Sequence, residues 1–363
     1  MISGPRRFSR RQVLTGAMAV GAGALLLACG DDGASPPASS PISAAGGASP
    51  ASEAAPPSAT TVDDTQIGPQ EDAPPTLETE PLIWVTPKEV SQGSVFLVAV
   101  DAPGAGFASV AFGGQVISLL REGSRFFTIL GIDALTPVGP VPVVIAIADA
   151  GGRPVVQQET LVTVRSSNWQ TEVVELDESN RALLDPEIRN EDSSTRGPVL
   201  RRETPERHWD GVFRPPSDGV ITSNYGLLRS YNFMPVEEYH EGLDFAGDNG
   251  DPVLSPNAGV VAWVGQTRRR GNGLIIDHGG GVFSGYYHLS EVVVAVGDVV
   301  NSGEFIARIG ATGLATGPHL HWEVVVHGIT VDPVQWFREN EFPNPVAELD
   351  PAEAVQGPNQ RAG

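Results

Sequence analysis

The sequence predicts a mainly β chain with two folded units joined by polar connections. Three observations lead there. Apolar runs are short, rich in Val, Ile and Phe, and separated by Gly, Pro, Asn and Asp at nearly regular intervals. That is the pattern of strands joined by tight turns rather than of amphipathic helices. Composition also changes sharply near residues 78, 167, 208 and 343, which sets the boundaries of the units. Finally, four of the seven histidines fall in three short motifs of the second unit.

Taken in order, the chain opens with Ser9-Arg10-Arg11-Gln12-Val13-Leu14 and an apolar stretch from Thr15 to Ala28. About fourteen apolar residues fall short of the roughly twenty that span a bilayer. Residues 1–29 therefore read as a twin-arginine export signal. Its end, Leu26-Leu27-Ala28-Cys29-Gly30, resembles a bacterial lipoprotein cleavage box. Cys29 is the only cysteine, so no internal disulfide forms. It reads as the lipidated first residue of an exported, membrane-anchored protein. Residues 30–78 are Ala, Pro, Ser, Gly and acids, too poor in apolar surface to offset ordering entropy. They form a tether with a span on the order of 40 Å as a flexible coil.

Residues 79–166 hold strand-like runs at 95–100, 109–112, 115–119, 126–130, 141–148 and 160–164. Such strands with regular turns predict an immunoglobulin-like sandwich. Residues 167–208 are polar, with a short helix expected at Glu178–Leu184, and read as a linker. Residues 209–342 form the second β unit, with strands at 260–264, 273–277, 282–288, 305–309 and 320–326 and a helix at Pro333–Glu339. The tail, 343–363, is acidic and Pro/Ala-rich and reads as disordered.

The net charge of −21 argues against nucleic acid or an anionic membrane surface as an electrostatic partner. Arg268-Arg269-Arg270, the basic cluster of the second unit, reads as a solvated loop. His278 reads as a turn-packing residue, and His208 and His327 as exposed.

The chemistry concentrates elsewhere. His240 and Asp244 lie four apart, His288 follows Tyr287, and His319 and His321 lie two apart with Glu323 next on the same strand face. Imidazole nitrogens with one carboxylate oxygen suit a zinc ion. In an extended segment His240 and Asp244 would stand roughly 13 Å apart. Gly242 argues against a helix, so a tight bend there, feeding a strand from Leu243, brings both to one ion. Spacing leaves two sites open: a closed one of His240, Asp244, His319 and His321, or a three-ligand one with a free position.

Residues 217–334 resemble the LytM/lysostaphin-type zinc metallopeptidases, which cut peptide crosslinks of bacterial cell walls. The ordered motifs are Thr222-Ser223-Asn224-Tyr225-Gly226 with Arg229, His240 to Asp244, and Gly250-Asp251-Pro252-Val253. They continue through Gly271-Asn272-Gly273, Asp277-His278-Gly279, Tyr286-Tyr287-His288-Leu289-Ser290, Gly310-Ala311-Thr312-Gly313 and Gly317-Pro318-His319-Leu320-His321. The resemblance implies an antiparallel β fold of the duplicated hybrid motif type and one Zn²⁺ per catalytic domain. It implies His240, Asp244 and His321 as zinc ligands, with His288 and His319 as the catalytic pair. Asn224 and Arg229 match positions near the substrate cleft, and Glu323 could orient a ligand. The implied partner is peptidoglycan, through its stem peptides or cross-bridges. A non-catalytic activator of another wall hydrolase, built on the same fold, is the alternative.

Overall fold

The structure is a computed structural model that describes residue 77, residues 79–339, 341–345 and 348–355, and the backbone of 360–361. The export signal, Cys29 and nearly all of the tether lie outside the described residues. Among the described residues no helix is long and apolar enough to cross a membrane.

Residues 82–165 form β1 (Leu82–Thr86), β2 (Glu89–Ser91), β3 (Val95–Asp101), β4 (Ala105–Phe112), β5 (Gln115–Ser118), β6 (Leu120–Glu122), β7 (Arg125–Gly131), β8 (Gly139–Asp149) and β9 (Pro154–Arg165). They make two sheets, ordered β1-β3-β7-β6 and β2-β9-β8-β4-β5. Ile83, Phe96, Val98, Val100, Phe126 and Leu130 of the first sheet share a buried core with Val110, Val143, Ile145 and Val162 of the second. The alternate residues of the first sheet do not face water. Trp84, Val95, Leu97, Ala99, Phe127 and Ile129 enter a second core with Leu243, Phe245, Leu320 and Trp322. A sheet buried on both faces needs continuous apolar runs rather than alternation, as in Val95-Phe96-Leu97-Val98-Ala99-Val100. The two β units are thus fused through a common core. Each fully buried Leu or Phe in it contributes about 1.5–3 kcal/mol.

The linker is more structured than its composition suggests. β10 (Thr171–Val174) is followed by α1 (Glu178–Arg181), a 3₁₀ turn at Ala182–Leu184, and α2 (Pro186–Leu200). The helix expected at Glu178–Leu184 covers α1 and the 3₁₀ turn, whereas α2 was not expected. The interior of α2 holds Ser193-Ser194-Thr195, Gly197 and Pro198, weak or helix-breaking residues by propensity. Its start signal is sound: Asp185 accepts from the Glu187 N–H at 2.8 Å, with Pro186 in the first turn. Tertiary packing then holds it, since Val199 and Leu200 bury against Ile275, Phe283 and Val325.

The second unit comprises β11 (Ile221–Ser223), β12 (Leu228–Tyr231), β13 (Glu238–Tyr239), β14 (Leu243–Ala246), β15 (Pro252–Leu254), β16 (Gly259–Thr267), β17 (Gly271–Gly279), β18 (Val282–Leu289), β19 (Glu291–Val292), β20 (Val299–Val300), β21 (Phe305–Arg308), β22 (His319–Val326) and β23 (Ile329–Val331). Its main sheet runs β11-β14-β22-β18-β17-β16-β20. β10 adds to β12 in parallel, so the linker supplies an edge to this unit. The helix expected at Pro333–Glu339 is only a 3₁₀ turn, Pro333–Trp336, capped by Asp332. Part of the tail is ordered where disorder was expected. Trp84 Nε1 donates to the Asp350 carbonyl at 2.8 Å, and the Val355 N–H to Ile83 at 2.7 Å.

Candidate metal centre and proton-transfer pair

Strand register assembles the site. β22 lies between β14 and β18, and its His321 pairs with Asp244 on one side and Tyr287 on the other. Period-two alternation puts His319, His321 and Glu323 on one face, while Leu320, Trp322 and Val324 enter the core. His240 arrives from the turn before β14. That turn must pass close to β22: a Cβ on Gly242 would stand 2.3 Å from the Trp322 carbonyl oxygen and 3.1 Å from His321 Cε1. Only glycine fits there.

Three ligand atoms converge. His240 Nε2 lies 3.0 Å from Asp244 Oδ1 and 2.9 Å from His321 Nδ1, and His321 Nδ1 lies 2.8 Å from the same Asp244 oxygen. A tetrahedral ion with ligands 2.0–2.1 Å away has edges of about 3.3 Å, so this triangle is close to the right size. Proton placement decides its character. His240 Nδ1 faces the Asn224 carbonyl at 2.9 Å, an acceptor, so Nδ1 carries the hydrogen and Nε2 a lone pair. His321 Nε2 lies 3.1 Å from Glu323 Oε1. Arg270 Nη1 stands 2.5 Å from the same nitrogen but has Glu323 Oε1 at 2.6 Å to donate to, so the carboxylate takes both hydrogens. His321 Nδ1 is then also a lone pair. Two imidazole lone pairs and a carboxylate oxygen meet with no hydrogen between them, which a cation resolves. His240, Asp244 and His321 are compatible with a metal site.

Burial pushes the His240 imidazole down to about 4, which keeps it neutral and able to ligate. Burial alone would raise the Asp244 carboxyl, but positive charge and hydrogen bonds from His240 and His321, when they carry the proton, outweigh it and hold the carboxyl well below the usual carboxylate range. Behind it, Arg229 Nη2 lies 3.5 Å from Asp244 Oδ2 and 3.0 Å from Ser223 Oγ, and Nη1 pairs with Glu172. The guanidinium lines the cleft but is already engaged by these partners. The Asn224 side chain is exposed, and its contribution here is the backbone carbonyl.

His288 and His319 stand together at the same cleft, ring centroids 4.7 Å apart. Each gives one nitrogen to a backbone carbonyl: His288 Nδ1 to Thr312 at 2.7 Å, and His319 Nδ1 to Gly317 at 2.8 Å. Each therefore presents Nε2 as an acceptor. His319 Nε2 is 3.9 Å from Asp244 Oδ1, outside the tight triangle. Burial drives the His288 imidazole well below its ordinary value, so it is neutral near pH 7. Its backbone has φ = 61°, a left-handed conformation that costs a non-glycine residue of order 1–3 kcal/mol and clusters at functional sites. A cleft of about 120 Å³ opens here, walled by Tyr231, Tyr239, Leu314 and, from the linker, Val174 and Leu176.

Several readings change. Arg270 is buried, and Arg269 is half-buried and pairs with Glu238; only Arg268 is exposed. The triple-arginine run is thus not a solvated loop, because Arg269 and Arg270 turn inward. Glu323 is fully buried, and its carboxylate holds Arg196 at 2.9 Å as well as Arg270. Burial would raise its pKa, but Arg270 and Arg196 drive it well below the usual range. Sequence reasoning missed Arg196 and Asp192 entirely; the only signal was their i, i+4 spacing. His278 is buried within β17, its Nδ1 on the Ala258 carbonyl at 2.7 Å and Nε2 on Ser284 Oγ at 2.7 Å. His327 is half-buried rather than exposed, with Nε2 2.9 Å from Thr128 Oγ1.

Residues 238–333 match peptidase family M23. DD-carboxypeptidase/endopeptidase Mpg of Neisseria meningitidis is 39% identical over 114 residues, 31% of this chain and 26% of that protein. Peptidoglycan DD-endopeptidase ShyB of Vibrio cholerae is 40% identical over 112 residues, with the same shares. The match thus spans about a quarter of the length of these curated relatives. A crystal structure from Pseudomonas aeruginosa, described as a candidate M23 peptidase, is similar at a TM-score of 0.50 and 28% identity, covering 67% of this chain and 92% of that one.

Proposed function

We propose that this chain, whose residues 238–333 match peptidase family M23, is a zinc-dependent endopeptidase that hydrolyses peptide crosslinks of bacterial peptidoglycan. The observation that carries the reading is the convergence of the His240 Nε2, His321 Nδ1 and Asp244 Oδ1 acceptors within 2.8–3.0 Å. They stand beside two further imidazoles, His288 and His319, outside the triangle. Three ligands leave a position for water, as hydrolysis needs. The names of Mpg and ShyB make the DD-crosslink the bond to test first.

His240, Asp244 and His321 would hold the zinc, which supplies a bound water acidic enough to ionise near neutral pH and a centre that polarises the scissile carbonyl. The chain's own residues handle the proton. His288 and His319 each have Nδ1 fixed on a backbone carbonyl, so Nε2 is free to take the hydrogen of the attacking water. The imidazolium so formed gives that hydrogen to the leaving amine. Until then it also stabilises the negative charge developing on the carbonyl oxygen.

The N-terminal unit supports an immunoglobulin-like reading by its strand order. Named A to G along the chain, with β2 as a split-off first strand and β5 as an added edge, its sheets are ABED and GFC. Its first sheet buries against the peptidase unit, which suits a placement module. Export and anchoring through Cys29 would set the enzyme beside the wall.

The test is to purify the full chain, measure its zinc content and analyse muropeptides released from walls of several crosslink types, with His319→Ala alongside. Crosslinked dimers should fall to monomers, and the variant should retain zinc without cleaving. A wild type that holds zinc and cleaves no wall would overturn the peptidase reading.

A further inference from the structure

Behind the metal ligands lies a buried ionic cluster whose key member comes from outside the family-matched segment. Glu323 sits two residues beyond His321 on β22, opposite Gly285 of β18, where a Cβ would stand 2.5 Å from Tyr287 Oη. Its Oε1 takes Arg270 and His321, and its Oε2 takes Arg196 Nη1 at 2.9 Å. Arg196 belongs to α2, which ends well before residue 238, where the family match begins. The guanidinium is itself held from every side. Nε pairs with Asp192 Oδ2 at 3.0 Å, Nη1 reaches Tyr287 Oη at 2.8 Å, and Cζ lies 5.0 Å over the Tyr287 ring. Asp192 in turn accepts from Thr267 Oγ1 at 2.6 Å. Asp192, Arg196, Arg270 and Glu323 are all nearly or fully buried, two anions against two cations.

Such a cluster is a poor source of stability, because desolvating four charges offsets most of their attraction. Its value lies in fixing orientation. We infer that Arg196, held by Asp192, is a positioning residue for the metal centre: it fixes the Glu323 carboxylate, which fixes the His321 ring with Nδ1 facing the ion. This makes α2 a working part of the site. Val199 and Leu200 anchor the helix to the sheet, and Asp192 and Arg196 occupy the preceding turns of the same face. Arg270 alone is insufficient. It shares Oε1 with His321 and also pairs with Glu241, so without Arg196 the second carboxylate oxygen is left buried and unpaired. Partners behind a ligating histidine typically matter by 10–100-fold in metal affinity or activity.

The inference rests on the metal-site reading above, and the experiment separates the two. Zinc affinity of the full chain is measured by chelator competition for wild type, Arg196→Met, Arg196→Lys and Glu191→Gln. The last removes an exposed carboxylate of the same helix that pairs with Arg268. The visible spectrum of the cobalt(II) form and the unfolding midpoint of the metal-free protein are recorded for each. Arg196→Met should bind zinc about 10–100-fold more weakly, and its cobalt bands should shift at saturation. Arg196→Lys should recover part of both, and Glu191→Gln should match wild type. If Arg196→Met binds zinc as tightly as wild type with an unchanged cobalt spectrum, even if its unfolding midpoint falls, Arg196 is only a strut and the inference fails. Should that variant not fold, the isosteric Asp192→Asn takes its place, with unchanged affinity and spectrum again overturning the idea. A wild type that binds no zinc removes the metal-site reading itself.

Discussion

His288 and His319 lie with ring centroids 4.7 Å apart, and each has its Nδ1 committed to a backbone carbonyl, Thr312 and Gly317 respectively. His319 Nε2 stands 3.9 Å from Asp244 Oδ1, outside the ligand triangle. His319→Ala and His288→Ala are therefore expected to retain zinc while losing activity by about 10²–10⁴. The double variant should be little worse than either single one, because groups serving one proton-transfer step act as a unit. Loss of zinc in His319→Ala would make it a ligand and the site a closed, structural one.

The ligand triangle gives the opposite signature. His240→Ala, Asp244→Ala and His321→Ala should each lower zinc occupancy, with activity falling as a consequence. Dialysis against a chelator followed by metal analysis reads this directly. A variant with full zinc and full activity would remove that residue from the ligand set.

How much of this the sequence made legible depends on the length scale of the signal. His319 and His321 stand out through their spacing, because strand alternation is a local rule, whereas the division of the histidines into ligands and a catalytic pair came from the family resemblance. Arg270 did not stand out, since a run of three arginines looks the same in sequence whether its members are solvated or, as here in the turn between β16 and β17, partly directed inward. Arg196 is harder still. Its partner Glu323 is 127 residues away, in contact only because α2 packs on the sheet. The double burial of β3 was written in its unbroken apolar run, but what covers the second face is a tertiary fact.

Gly242 offers a test of the close approach between the His240 turn and β22. Gly242→Ala places a methyl 2.3 Å from the Trp322 carbonyl oxygen and 3.1 Å from His321 Cε1. The first is backbone in a paired strand, so the turn must move. A cost of about 1–3 kcal/mol is expected, together with weaker zinc binding as His240 is displaced. An unaltered denaturation midpoint and unaltered zinc affinity would show that the turn yields freely.

The anchoring proposal has its own check. Cys29→Ser should shift the protein from the membrane to the soluble fraction, while the purified enzyme's activity is unaffected. A single acyl chain binds membranes only marginally, whereas a multiply acylated cysteine holds firmly. A variant still wholly membrane-bound would sink the lipoprotein reading.

His278 makes stability depend on pH in a defined direction. The ring is fully buried, and burial lowers its pKa from an ordinary 6.5 to about 4. Above pH 6.5 it is neutral in both folded and unfolded chains, and its contribution is complete. As pH falls below 6.5 the unfolded chain takes up the proton and the folded one does not, so stability declines until about pH 4. At 1.36 kcal/mol per unit the full loss is about 3 kcal/mol. His240, His288 and His327 are also depressed, so a bare pH titration sums several groups. The comparison with His278→Gln isolates one. That variant loses the edge contact with Phe213, whose ring centroid lies 4.9 Å away, and should be less stable than wild type at pH 7. Since glutamine does not titrate, the gap should narrow by about 2–3 kcal/mol on going to pH 4.5. Urea denaturation at the two pH values measures it, and an equal gap at both would mean that His278 is not held neutral by burial.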